Sequence, residues 1–71
     1  MITVHVTVGV GFWKAHKTVQ LVACPHTDDR IEVGKDGPTV TCERVTITDK
    51  AVYVEETIRF TSEQAAKEYF S

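Results

Sequence analysis

Phe12, Trp13, Lys14, Ala15, His16 and Lys17 set the only tryptophan of the chain beside a second aromatic ring, two lysines and a histidine. These types suit contact with a partner. Aromatic rings bury a large area at little entropic cost and stack on bases, and lysines meet carboxylates or phosphates. There is a competing structural demand. A domain this small has few large apolar side chains, so Phe12 and Trp13 could plug one end of its core while the lysines stay in water. A half-buried tryptophan can serve both ends. A second grouping comes from strand periodicity, which puts Thr3, His5, Thr7, Thr41, Tyr53, Thr57 and Arg59 on one polar face. Tyr53 and Arg59 are its members best suited to concentrate binding energy. Threonine also favours exposed strand positions for its shape alone.

The residues of catalysis and metal binding are present but badly spaced. Cys24, His26 and Cys42, with His5 or His16, form the one ligand set the sequence offers. Structural zinc sites usually pair their ligands as Cys-x(2–4)-Cys, and a Cys-x-His with one remote Cys fits that poorly. Both cysteines are expected to be free thiols that act as small apolar residues, with no metal and no other cofactor. Glu55 and Glu56 are neighbours on a strand pattern and turn to opposite faces, so they cannot share a proton as an acid–base dyad. Gly9-Val10-Gly11 leads into aromatics and a strand pattern, whereas a phosphate loop leads into a helix. A chain of 71 residues also leaves little room for a deep cleft. The expectation is a protein that is not an enzyme.

The elements that must carry these residues are mostly strands. Ile2, Val4, Val6, Val8 and Val10 occupy every even position of the first ten, with Thr3, His5 and Thr7 between them. This alternation gives one buried and one wet face. Gly9 and Gly11 mark a bulge or the strand end. Residues 12–17 form the first connection, and a second strand covers residues 17–24 until Pro25 stops it. A short third strand spans 30–34. Gly34-Lys35-Asp36-Gly37-Pro38 is the strongest turn signal. A fourth strand spans 39–48, where the apolar positions change parity from Val40 and Cys42 to Val45 and Ile47. That requires a bulge or sharp bend near Glu43 and Arg44. Asp49-Lys50 tips a tight hairpin into a fifth strand at 51–60. A helix at 62–70 closes the chain, with Thr61 as N-cap and Gln64 in capping-box position. It is too short to be helical alone and must dock through Tyr69 and Phe70.

The fold class expected is α+β and mostly β. It is one domain over residues 1–71, with a five-stranded antiparallel sheet or a small SH3-like barrel and one C-terminal helix. The element order is similar to that of SH3-like barrels capped by a helix, the plan shared by chromodomains and small archaeal chromatin proteins. Net charge is −2, without the basic excess that usually accompanies nucleic-acid binding. No secretory signal or membrane span is visible, so a cytoplasmic location is expected.

Together these readings favour a small non-catalytic module that binds another protein. From what small freestanding proteins commonly do, and not from its residues, it is expected to act as a regulator or inhibitor that occludes a larger partner, as small bacteriophage inhibitors do. The candidate contacts are Phe12, Trp13, Lys14, His16, Lys17, Tyr53 and Arg59, with an exposed edge strand as a further surface. One alternative is a nucleic-acid-binding SH3-like module using residues 12–17. Another is a homodimer joined through edge strands; the chain would otherwise be a monomer.

Overall fold

Alternating valines build the centre of the molecule. In the computed structural model, which describes residues 1–33 and 37–70, Ile2–Val10 forms strand β1. Val4, Val6 and Val8 are buried while the polar residues between them face out. Trp13–Leu21 forms β2 and pairs antiparallel with β1 in unbroken register from Ile2↔Leu21 to Val10↔Trp13. The second strand therefore starts at Trp13 and not at Lys17. Residues 12–17 are no loop, because only Gly11 and Phe12 lie between the two strands. Positive φ occurs at Gly11 (+75°) and not at Phe12. That is the position where a two-residue type II′ hairpin turn takes glycine.

Beyond β2 the chain leaves the sheet. Arg30–Glu32 (β3) and Thr39–Thr41 (β4) pair antiparallel as a separate two-stranded sheet. The expected turn at Gly34, Lys35 and Asp36 lies outside the described residues. On either side of it, the Val33 N–H donates to the Pro38 carbonyl at 3.2 Å. Arg44–Ile47 (β5) and Val52–Glu56 (β6) then form a hairpin that joins the main sheet. The Thr48 hydroxyl closes its Asp49-Lys50 tip by donating to the Ala51 carbonyl at 2.8 Å and accepting from the Ala51 N–H at 3.1 Å.

The main sheet has the order β2-β1-β6-β5. Two expectations are corrected here. The described residues hold six strands in two sheets, where five in one sheet or a closed SH3-like barrel was expected. The reason is the parity change at Cys42–Arg44. It breaks the long strand into β4 and β5, which join different sheets. The second correction is the pairing of β6 with β1. The β1·β2, β3·β4 and β5·β6 ladders are antiparallel, but β6 runs parallel to β1. A hairpin inserted beside an already paired central strand must place one arm parallel to it, and here that arm is β6.

One side of the main sheet carries the core. Val4, Val6, Val8, Val52 and Val54 meet Ile31, Val33, Val40 and Cys42 from the β3–β4 segment. Phe60 and Ala66 join from the C-terminal part. Each valine fully withdrawn from water contributes about 1.5–3 kcal/mol. Helix α1 spans Glu63–Glu68, with Ser62 as N-cap in place of Thr61; the Ser62 hydroxyl accepts from the Ala65 N–H at 3.2 Å. The backbone stays extended through Ser62 (φ −160°), which carries Phe60 into the core before the helix starts. Phe60, Tyr69 and Phe70 then pack edge to face, with ring centroids 5.4 Å and 4.9 Å apart in turn. No described helix is long and apolar enough to cross a membrane.

Candidate binding surface

The hairpin turn between β1 and β2 presents Phe12 wholly to solvent, at 100% exposure. Its neighbours Val10 and Trp13 keep 45% and 40% of their surface exposed. Phe12 and Trp13 therefore do not plug the core; Phe60, Tyr69 and Phe70 do that. Val10 was assigned to the buried face, but the buried alternation ends at Val8. Gly9 has φ +134°, which redirects the strand just before Val10. The flanking glycines were the signal in sequence that could have found this. Arg59 follows β6 in irregular chain and lies beside the turn. With Val10, Gly11, Phe12, Trp13 and Phe60 it lines a shallow hollow of about 300 Å³.

The polar face of the main sheet is an ordered grid. Cross-strand register puts Thr18, His5, Tyr53 and Thr46 in one row and His16, Thr7, Glu55 and Arg44 in the next. His5 Nδ1 and the Thr18 hydroxyl are 3.1 Å apart, and His16 Nδ1 and the Thr7 hydroxyl 3.2 Å. The His5 ring stacks on Tyr53 with centroids 5.1 Å apart. Arg44 and Glu55 form an exposed ion pair at 3.8 Å.

The expected membership of this face needs correction. Thr41 belongs to the other sheet, where its N–H donates to Glu56 Oε2 at 3.2 Å. Thr57 has left β6, and its N–H donates to Glu43 Oε2 at 2.7 Å. Arg59 sits with the aromatic turn, apart from Tyr53. Arg59 thus goes with the turn, and a hollow of about 370 Å³ lined by Thr7, Val10, Gly11, Arg44 and Glu55 joins the turn to the near end of the grid.

Lys14, His16 and Lys17 all lie on β2. Alternation sends Lys14 and His16 to the polar face and Lys17 to the other. The two lysines do not form one basic patch.

The two thiols differ in burial. Cys24 and Cys42 are free thiols, one partly and one fully buried. Burial pushes the Cys42 thiol above its usual range, and nearby Asp29 and Glu56 push it further. A thiol that holds its proton is a weak nucleophile and a weak ligand. Burial also raises the Tyr69 phenol, with Glu56 adding to it. Among the described residues no three His, Cys, Asp or Glu side chains are grouped closely enough to hold a metal ion.

No protein-family model, no curated protein and no solved structure matches this chain.

Proposed function

We propose that the chain is a small non-catalytic protein-binding module, a regulator or inhibitor that occludes a larger partner, and that contact centres on the Gly11-Phe12 turn. The carrying observation is Phe12 itself, fully exposed at the tip of a two-residue turn. Folding leaves its ring in water, and burying a phenylalanine is worth about 1.5–3 kcal/mol. The β1·β2 ladder below the turn holds the backbone that carries it, so binding need order only the side chain. Val10, Trp13 and Arg59 surround it, and exposed aromatics beside an arginine are the composition of binding hot spots. Free thiols suit a cytoplasmic location. The nucleic-acid reading is weaker, because Lys14 and Lys17 diverge to opposite faces.

The test is capture from a nuclease-treated native lysate by immobilised wild-type protein and by Phe12→Ala. A specific protein retained by the wild type and lost with the variant, at equal thermal stability, supports the proposal. Equal retention by both refutes the role of the turn.

A further inference from the structure

We infer that the open edge of β2 accepts an extended, acidic segment of a partner protein as an added strand, seated in the groove between β2 and α1. This goes beyond the aromatic turn and does not depend on it.

The edge is long and unclaimed. Among the described residues β2, nine residues long, has one strand neighbour, β1. In a two-residue hairpin the closing pair, here Val10↔Trp13, is hydrogen-bonded, and bonded pairs then alternate along the ladder. Lys14, His16, Thr18 and Gln20 consequently turn their N–H and C=O groups outward. The side-chain contacts agree. Thr7 with His16, His5 with Thr18 and Thr3 with Gln20 touch across the ladder, as expected at non-bonded pairs, where side chains stand closer. The opposite edge, β5, has only four residues.

A groove runs beside this edge. Hollows of about 310 and 260 Å³ lie along the first half of β2, with Trp13, Ala15, Ala66 and Phe70 among the residues that line them. An edge strand with an adjoining helix is the geometry of strand addition. Main-chain hydrogen bonds supply affinity, and alternate side chains of the guest enter the groove.

Charge selects the occupant. β2 carries Lys14 and Lys17 and no acid, while the rest of the chain holds six Lys or Arg against ten Asp or Glu. The lysines point to opposite faces, so they flank an added strand on both sides. Glu63, the acidic residue that lines these hollows, is engaged with Lys67 at 3.4 Å. A second copy of this chain is the poorer guest. Two β2 edges paired antiparallel about their middle would set Lys17 of one copy directly opposite Lys17 of the other. Like charges opposite one another destabilise a ladder, and edge lysines are a known bar to self-pairing.

The experiment uses the full chain and a synthetic probe, acetyl-Glu-Glu-Val-Thr-Val-Glu-Glu-amide, followed by Trp13 fluorescence and by amide exchange. Saturable binding is expected, with exchange at the Lys14, His16, Thr18 and Gln20 amides slowed about tenfold or more. Two further probes are N-methylated, one on each alternating set of amides. One should lose binding about tenfold or more and the other should keep it, because only one set faces β2. Lys14→Glu with Lys17→Glu should weaken the acidic probe about tenfold with an unchanged melting temperature. Arg59→Gln, at a residue that lines the hollow at the turn and neither hollow beside β2, should retain it within about twofold, so failure of the turn proposal stays distinguishable from failure of this one. Four results would overturn the inference: no saturation, equal affinity for the lysine-for-glutamate probe, protection that maps away from β2, or β2 protection that rises with protein concentration without probe, which would assign the edge to a second copy.

Discussion

Gly9 stands so close to Trp13 that no side chain fits between them. A Cβ on Gly9 would lie 2.5 Å from the Trp13 carbonyl oxygen and 2.8 Å from Lys14 Cα, at a φ of +134° that other residues rarely adopt. The aromatic turn is aimed by this contact between β1 and β2.

Gly9→Ala should therefore cost about 2–4 kcal/mol, since backbone strain and a backbone clash add. Gly11→Ala should cost less, about 1–2 kcal/mol, because φ is +75° there but the space is open. Urea unfolding of the two variants checks the order. Equal costs would mean that Gly9 does not make this close approach.

The aromatic residues divide into two roles. Phe12→Ala should change stability by less than about 0.5 kcal/mol, as exposed substitutions do. Phe60→Ala should cost about 3–5 kcal/mol, because it opens a cavity in the core. Deleting residues 62–71 should abolish cooperative melting, since Ala66, Tyr69 and Phe70 go with the helix. Thermal melts of the three variants decide this, and a destabilised Phe12→Ala would return Phe12 to the core.

Stability should fall in alkali. The Cys42 thiol and the Tyr69 phenol both have folded pKa values raised above their ordinary 9.0 and 10.0. The folded state therefore holds these protons more tightly than the unfolded state does. The stabilisation is complete below about pH 9 and is lost as pH rises from there through the folded values. Cys42→Ala should flatten the first part of that decline, seen in melting temperature from pH 7 to 11. An unchanged slope would mean that Cys42 does not contribute.

Duplex DNA should bind no tighter than about 1 μM at physiological salt. Strong salt-dependent binders neutralise several phosphates at once, whereas Lys14 and Lys17 face apart. Fluorescence anisotropy with a labelled duplex checks this. A nanomolar, salt-sensitive complex would favour the nucleic-acid reading.

The first strand and the C-terminal helix were legible because their signals are local. Alternation names Val4, Val6 and Val8 as the buried face of β1, and the parity change at Cys42–Arg44 marks where the chain bends. The parallel β1·β6 pairing was not legible. It depends on which side of β1 the last hairpin enters, and no side chain states that. The site was legible in composition more than in place. Trp13, Lys14, His16 and Lys17 were grouped as a loop because Gly11 was read as a strand end and not as the glycine of a tight turn. Arg59 was assigned to Tyr53's face by extending a strand that stops at Glu56.

The central claim is that Phe12 is a contact residue spared from the core. Its most direct test is the affinity of the captured partner for wild type and for Phe12→Ala, by titration calorimetry. The account predicts binding weaker by about 30-fold or more in the variant, the scale of a hot-spot residue, at an unchanged melting temperature. Affinity unchanged within about twofold, below the roughly 1.4 kcal/mol of a tenfold effect, would contradict it.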